Sequence, residues 1–356
     1  MSRFLCGCLE GLKPYVPGEQ PQDKSYIKLN TNESPFPPAP GVEEAVRAQA
    51  GVLNLYSDPD GLPLKRALGA LYGLGERNVS LGNGSDENLA HIFAAFLQGR
   101  GAAFPDVTYG FYPVLCSLMG IAYKTVPLCG DFTVNTADYA AITSPVVLAN
   151  PNAQTGIYLT AEQIEELVLQ NAGRLVIIDE AYIDFGGQSC APLVKKYDNL
   201  IVVQTMSKSR SLAGARLGFS FACEELTAEI EAVRCSLNPY NVNRMTMAAA
   251  QKSLAEPGYF AECTKNIASV REYTATKLKN MGFEVLPSRA NFLLARHPEI
   301  GGGALYERLK AGGVLVRHFG GRIEEFIRVT VGTRAQTDVF LALAGRILAE
   351  VNNENS

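Results

Sequence analysis

The sequence lacks the surplus of basic residues that proteins binding nucleic acids usually carry. Its 356 residues include 32 Lys and Arg against 36 Asp and Glu, which gives a formal net charge of −4. A protein that contacts a phosphate backbone over a broad surface normally shows clustered positive charge. We therefore expect no nucleic-acid partner, although a local pocket for a small anion is compatible with this composition.

Long apolar runs, paired cysteines and clustered histidines are also missing. No stretch approaches the roughly 18 apolar residues of a membrane span, and Glu10 and Lys13 interrupt the short apolar N-terminus, unlike a signal peptide. The eight cysteines are scattered without a CxxC pair, and the three histidines lie far apart in the sequence. We expect no membrane association, no metal site, reduced thiols and a cytoplasmic location.

Short apolar segments alternate with helical patterns in the middle of the chain. Segments 144–150, 173–182 and 199–207 each end in polar or small residues, as buried parallel strands do. Between the first two, Thr160 followed by Gln163 predicts the start of a helix over 160–173. This order predicts an α/β domain with a three-layer, mostly parallel sheet.

The pattern changes near residue 243. A helical stretch over 243–281, broken near 256–258, precedes short strands separated by one further helix. Because the chain is longer than a usual single core, we predict an N-terminal arm (1–28), a large domain (29–242) and a smaller α+β domain (243–356).

Two charged residues follow the predicted strands closely. Asp179 closes one strand, where a carboxylate either caps the next turn or pairs with the ring nitrogen of a bound pyridine. Lys208 follows the next strand among small and hydroxyl residues. Such a lysine is either a solvated surface group or an amine that forms an imine with an aldehyde.

A phosphate site is the third feature. Arg216, with the hydroxyl groups of Thr205, Ser207 and Ser209, is suited to binding phosphate oxygens. Glycines and a serine open the helical pattern over 81–96, and such residues present backbone N–H groups to an anion. Their spacing matches neither the dinucleotide-binding nor the P-loop motif.

Motifs along nearly the whole chain resemble those of fold-type I aminotransferases, and most closely the histidinol-phosphate aminotransferase family. These motifs are LNTNESPFPP, YSDPDG, GNGSDE, TYGFY, NPNAQTG, IIDEAYIDF, TMSKSRSLAGARLGF and IRVTVGTR. The resemblance implies pyridoxal 5′-phosphate as the cofactor. It also implies a ping-pong transfer of an amino group between L-histidinol phosphate or imidazole acetol phosphate and glutamate or 2-oxoglutarate, in histidine biosynthesis.

The resemblance also implies roles for residues near the cofactor ring. Lys208 is similar to the lysine that forms the Schiff base and shuttles a proton, and Asp179 to the partner of the pyridinium. Tyr182 is similar to the donor to the phenolic oxygen, and Tyr109 to the ring that stacks on the pyridine. The positions that match phosphate-binding residues are Gly84, Ser85, Asp86, Ser207 and Arg216.

Further matches concern the substrate and a second subunit. Tyr56 is similar to the tyrosine that reaches the cofactor phosphate of the neighbouring subunit, which implies a homodimer. Arg334 matches the arginine that binds the substrate carboxylate. Tyr15 and Asn32 fall in segments that line the substrate side.

The loop NPNAQTG departs from the family pattern NNPTG. The asparagine directly before PTG usually contacts the phenolic oxygen of the cofactor, and Ala153 stands at its position here. Either Asn152 reaches over through a shift of the loop, or Tyr182 alone holds that oxygen. Gln154 replaces the proline. We predict Asn152 as a cofactor-binding residue on the first alternative.

Other functions remain compatible with these motifs. An aromatic or general amino-acid aminotransferase shares the cofactor residues, and a threonine-phosphate decarboxylase has a closely similar fold. A cofactor-binding regulatory module is a non-enzymatic alternative, but the intact Lys208 and Asp179 count against it.

Overall fold

The computed structural model describes residues 2–21 and 25–354. Residues 1 and 22–24 of the predicted arm, and residues 355–356, lie outside the described part. The strands are β1 (Ile27–Lys28), β2 (Val79–Gly82), β3 (Ala102–Pro105), β4 (Tyr123–Val126), β5 (Val146–Ala149), β6 (Val176–Asp179), β7 (Leu200–Thr205), β8 (Gly218–Phe221), β9 (Glu284–Val285), β10 (Phe292–Arg296), β11 (Val314–Leu315), β12 (Arg317–His318) and β13 (Ile327–Thr330).

The helices alternate with these strands. They are α1 (Val42–Ala50), α2 (Leu62–Ala70), α3 (Ser85–Phe96), α4 (Phe111–Met119), α5 (Ala161–Gln170), α6 (Glu224–Leu237), α7 (Arg244–Leu254), α8 (Pro257–Asn280), α9 (Gly302–Ala311) and α10 (Arg334–Glu354). The start of α5 is as predicted, because the Thr160 hydroxyl accepts a bond from the Gln163 N–H (3.3 Å) and Gln163 Oε1 accepts one from the Thr160 N–H (2.9 Å).

A seven-stranded sheet forms the centre of the molecule, in the order β2-β8-β7-β6-β5-β3-β4. Strand β8 runs antiparallel to β2 and β7, whereas the pairs among β3, β4, β5, β6 and β7 are parallel. Every residue of β6 and β7 is buried, as expected for strands covered on both faces. The prediction of a mostly parallel α/β sheet is confirmed.

Helices cover both faces of this sheet. Along β6, Val176 and Ile178 belong to a core with residues of α2, α5 and α7, whereas Ile177 belongs to a core with residues of α3, α4 and α6. Successive side chains of a strand point to opposite faces. The sheet is therefore the middle of three layers, as predicted.

The C-terminal part forms a second, smaller sheet. It is antiparallel with the order β12-β13-β10-β9, and its apolar side packs against α8, α9 and α10. The predicted break in the helical stretch separates α7 from α8, whose first residue is Pro257. Proline is tolerated there because the first helical N–H has no partner within the helix.

The N-terminal segment contacts this C-terminal part. Strand β1 pairs in parallel with β11, with Ile27 opposite Val314. The division into an arm, a large domain and a small domain at residues 28 and 242 stays a prediction. Within the described residues, no helix has the length and apolar content needed to cross a membrane.

Candidate active site

One pocket lies beyond the carboxyl ends of β5, β6 and β7. The parallel direction of these strands brings the residues that follow them to one edge of the sheet. Eleven of the predicted site residues line this pocket: Tyr15, Asn32, Ser85, Asp86, Tyr109, Asp179, Tyr182, Thr205, Ser207, Lys208 and Arg216.

Lys208 is half-buried in the wall of the pocket. Its amine donates a hydrogen bond to the backbone carbonyl of Thr31 at 3.2 Å, and Nζ lies 5.8 Å from the ring centre of Tyr182. The segment that carries it begins directly after β7, so the lysine is fixed to a rigid strand end. An amine in this position can react with an aldehyde held in the pocket.

Asp179 is the last residue of β6 and is buried. Burial raises the pKa of its carboxyl to about 6, although hydrogen bonds from the Tyr112 hydroxyl and the Ala181 N–H favour the ionised form. A cation close to this carboxyl would relieve the cost of ionising it. The protonated ring nitrogen of a pyridine is such a cation.

Tyr112 was missed by the sequence analysis. It lies in α4, is fully buried, and donates to Asp179 Oδ2 at 2.9 Å. The pKa of its hydroxyl is raised well above the ordinary value, first by burial and then by the adjacent carboxylate. The TYGFY motif contains this tyrosine three residues after Tyr109, a spacing that places both on one side of a helical turn.

Several of the predicted phosphate-binding residues lie at the N-terminus of α3. Gly84 adopts a φ of +84°, and a Cβ atom placed on it would lie 2.2 Å from Arg216 Nη2. The Arg216 guanidinium lies 3.6 Å from Asp86 and 3.4 Å from the Ser207 hydroxyl. Backbone N–H groups at the helix start and a neighbouring guanidinium together form an anion site.

Tyr182 is held by Asn32. The side-chain amide of Asn32 donates to the Tyr182 hydroxyl at 3.0 Å, and Asn32 Oδ1 accepts a bond from Thr330 at 2.9 Å. Because the phenolic oxygen already accepts a bond, the Tyr182 proton is available as a donor to the pocket. Asn32 therefore contacts a predicted catalytic residue as well as lining the pocket.

The structure corrects the prediction for Asn152. Its amide nitrogen donates to the Val107 carbonyl at 2.9 Å, and its oxygen accepts the N–H groups of Gln154 (2.9 Å) and Thr155 (3.0 Å). These bonds hold the loop together and turn the side chain away from the pocket, which Ala153 and Gln154 line instead. The loop shift proposed for Asn152 does not occur.

The prediction for Arg334 is corrected as well. Its guanidinium is exposed, forms an ion pair with Asp338 on the same helix (3.0 Å), and stacks on the Tyr273 ring. Arg334 is not among the residues that line the pocket.

Arg328 and Arg317, which the sequence analysis did not select, line the pocket instead. In β13, Ile327 and Val329 belong to the small-domain core, so strand periodicity directs Arg328 and Thr330 to the opposite face. This alternation could have identified Arg328. Burial lowers the pKa of Arg328, and its guanidinium carbon lies 5.0 Å from the ring centres of both Phe292 and Phe319.

Residues of the N-terminal segment cover one side of the pocket. Tyr15 packs edge-on against Tyr109, with ring centres 5.8 Å apart. Arg317 donates to the backbone carbonyls of Val16 and Pro17 at 3.0 and 3.1 Å. The segment is thus tied to the small sheet where it passes over the pocket.

Tyr56 lies outside the pocket of its own chain. Its side chain is 79% exposed and stacks on Tyr240, with ring centres 4.4 Å apart. Arg244 donates to its backbone carbonyl at 2.6 Å. This placement leaves the tyrosine free to contact another molecule.

Comparison with known proteins gives a consistent result over the full chain. The family model described as "Aminotransferase class I and II" matches residues 24–343. Histidinol-phosphate aminotransferase 1 of Bordetella parapertussis is 45% identical over 355 residues, which cover 98% of this chain and all of that protein.

Solved structures give the same fold. Histidinol-phosphate aminotransferase from Sinorhizobium meliloti, in complex with pyridoxal-5′-phosphate, has a TM-score of 0.90 and 25% identity, with 99% of each chain covered. L-threonine-O-3-phosphate decarboxylase from Porphyromonas gingivalis has a TM-score of 0.76 and 20% identity, with 90% of this chain and 99% of that chain covered. The second likeness concerns the fold alone.

Proposed function

The chain belongs to the class I and II aminotransferase family, and we propose that it transfers an amino group between L-histidinol phosphate and 2-oxoglutarate in histidine biosynthesis. Imidazole acetol phosphate and glutamate are the products in this direction. One observation carries the proposal: an imine-forming lysine, a buried carboxylate and a phosphate site at a helix N-terminus meet in one pocket.

The residues present fit pyridoxal 5′-phosphate. When bound, this cofactor supplies an aldehyde that condenses with amines and a pyridine ring that accepts electrons. The bare backbone of Gly84 leaves room for Arg216 beside the start of α3, where a phosphate would be held. Asp179 would keep the ring nitrogen protonated, and Tyr182 would donate to the phenolic oxygen.

Lys208 has two tasks in this proposal. Its Nζ would hold the cofactor in the resting enzyme, and as a free amine it would take the proton from the substrate Cα. General base catalysis of this kind requires an amine within hydrogen-bond reach of that proton. The link to β7 fixes the lysine on one side of the pocket.

Substrate binding is assigned to the two arginines of the small sheet. Arg328 and Arg317 bring two positive charges to the pocket, which suits both the phosphate of L-histidinol phosphate and the carboxylates of glutamate. Tyr15 closes the pocket beside them. Arg328 and Arg317 thus take the substrate-binding role that the sequence predicted for Arg334.

We also propose a homodimer that acts in the cytoplasm. Tyr56 and Tyr240 stack on the surface, and Leu55 and Leu237, which shortly precede them in the sequence, are also exposed. Exposed apolar groups of this kind suit a protein interface. In the dimer, Tyr56 would contact the cofactor phosphate of the other subunit. The seven cysteines whose side chains are described are all free thiols, which agrees with a reducing compartment.

An assay with two substrates tests the reaction. Purified protein with pyridoxal 5′-phosphate, L-histidinol phosphate and 2-oxoglutarate should form glutamate without releasing CO2. Release of CO2 from L-threonine phosphate would instead indicate a decarboxylase. A higher kcat/KM for aromatic amino acids than for L-histidinol phosphate would indicate a general aminotransferase. A Lys208→Ala variant is the control and should form no glutamate above background.

A further inference from the structure

Gln154 connects the unusual NPNAQTG loop to Arg328. Its side-chain oxygen accepts a hydrogen bond from Arg328 Nη1 at 3.2 Å, and the Ala153 carbonyl accepts a second one at 2.9 Å. Gln154 and Arg328 both line the pocket. A proline, which the family pattern has at this position, could not form the side-chain contact.

These contacts occupy one side of the guanidinium. Nη1 has two hydrogens, and both are used by acceptors of the loop. Nη2 makes one long contact to the Asn30 carbonyl at 3.5 Å, and the buried Nε has no hydrogen-bond partner among the described residues. Arg328 lines the pocket, so Nη2 has donor capacity left for an anion bound there.

The contact with arginine also determines which way the Gln154 amide faces. An arginine has only donors, so the amide oxygen must face it, and the amide nitrogen must point elsewhere. Because Gln154 lines the pocket beside Arg328, this nitrogen is a neutral donor that a ligand in the pocket can use. An arginine that binds an anion through two parallel hydrogen bonds donates to two oxygens. A carboxylate has only these two, whereas a phosphate monoester has a third oxygen that still needs a donor.

We propose that Gln154 is a specificity-determining residue, holding Arg328 with its amide oxygen and donating from its amide nitrogen to the substrate phosphate. The inference rests on the proposed function, because it takes a phosphorylated amine as one of the two substrates. Gln154 favours the phosphate-bearing substrate over glutamate, although both anions share Arg328.

Gln154→Met tests this role because methionine is similar in size and lacks both polar atoms. The KM for L-histidinol phosphate should rise about tenfold, the loss expected for one hydrogen bond to a charged group. The KM for glutamate and both kcat values should change less than about twofold, because the Ala153 carbonyl still holds Arg328 in place. An equal rise in both KM values, or no rise in either, contradicts the proposal.

Gln154→Glu tests the role of the amide nitrogen separately from that of the amide oxygen. It retains an oxygen that accepts from Arg328 but replaces the amide donor with a negative charge, so the KM for L-histidinol phosphate should rise more than in Gln154→Met. Gln170→Met makes the same chemical change on the exposed surface of α5, where the Gln170 amide donates to Glu166 at 3.2 Å, and should leave both KM values unchanged. A KM for L-histidinol phosphate in Gln154→Glu that equals the wild-type value would contradict the donor role.

A binding measurement keeps this inference separate from the proposed reaction. With pyridoxal 5′-phosphate saturating, inorganic phosphate should raise the melting temperature of the wild-type protein more than that of Gln154→Met. An equal rise in the two proteins overturns the role of Gln154. Failure of the wild-type protein to react with L-histidinol phosphate would overturn the proposed reaction, and the phosphate shift would still report on Gln154.

Discussion

Asp179 ends a buried strand with a group that is costly to ionise, and this cost links stability to pH. Burial raises the pKa of its carboxyl to about 6, above an unfolded value of about 4. Because the folded state binds the proton more tightly, the free energy of unfolding falls as pH rises from about 4 to about 6. Above about pH 6 the buried carboxyl is ionised in the folded apoprotein, and the free energy of unfolding is reduced by the full cost of that ionisation.

Asp179→Asn should therefore stabilise the protein without cofactor. Asparagine does not ionise, and its oxygen can accept from the Ala181 N–H. Its nitrogen can donate to the Tyr112 oxygen, but this reverses the bond and leaves the buried Tyr112 O–H without its acceptor, which offsets part of the gain. Urea unfolding of the apoprotein at pH 8 should show a gain of up to about 3 kcal/mol, which disappears near pH 4. The same variant should bind pyridoxal 5′-phosphate more weakly, because the partner of the ring nitrogen has lost its charge. A variant less stable than the wild type at pH 8 would count against this account.

In the proposed cofactor site, Ala153 would leave the phenolic oxygen with one fewer donor than the family pattern provides. An Ala153→Asn variant restores an amide there, and a donor to this oxygen favours its ionised form. The pH at which the absorbance of the bound cofactor changes should fall by roughly one unit. Ala153→Leu has a similar volume without a donor, so an equal fall in that control would show that size, and not hydrogen bonding, is responsible.

At the scale of elements, the junction between β2 and α3 depends on a glycine. Gly84→Ala should weaken the binding of pyridoxal 5′-phosphate by at least about tenfold, because the new methyl group would displace Arg216. Gly99→Ala is a matched control: Gly99 also has a positive φ, +72°, but no atom lies within 4 Å of the added Cβ. Fluorescence titration of the apoproteins with the cofactor compares the two. Equal losses would mean that backbone strain alone explains the effect.

Local patterns were sufficient to predict the central elements. Three buried strands, the capping pair of Thr160 and Gln163, and the break before Pro257 each depend on residues close in sequence. The pairing of β1 with β11 joins segments almost 290 residues apart, and no local pattern carries that information.

Sequence motifs were sufficient to predict the site residues that they contain, but not the residues whose place in the pocket depends on how the chain folds. Lys208, Asp179 and Arg216 share the pocket as expected, whereas Arg334 lies on the surface of α10 and Arg328 takes a place in the pocket. Both arginines belong to the same short motif. The motif does not show that Arg328 lies in β13 and faces the pocket, whereas Arg334 begins α10 and is exposed. The role of Tyr112 depends on a contact between α4 and β6, which becomes visible only in three dimensions.

At the scale of the whole molecule, the proposed dimer makes each active site depend on two chains. A heterodimer of Lys208→Ala and Tyr56→Ala subunits, isolated with two different affinity tags, contains one complete site and one site that lacks both residues. At a cofactor concentration that saturates the wild-type sites but not those of the Tyr56→Ala homodimer, it should therefore have about half of the wild-type activity, as twofold symmetry requires. Activity no higher than that of the Tyr56→Ala homodimer, or a monomer at micromolar concentration, would contradict the shared site.

The attachment of the cofactor to Lys208 is the claim on which the others depend. Reduction of the protein with borohydride in the presence of pyridoxal 5′-phosphate, followed by proteolysis and mass spectrometry, identifies the lysine that forms the imine. We predict a phosphopyridoxyl group on the peptide containing Lys208, and its loss in Lys208→Ala. A label on another lysine at equal stoichiometry, or no label in the wild-type protein, would contradict the account.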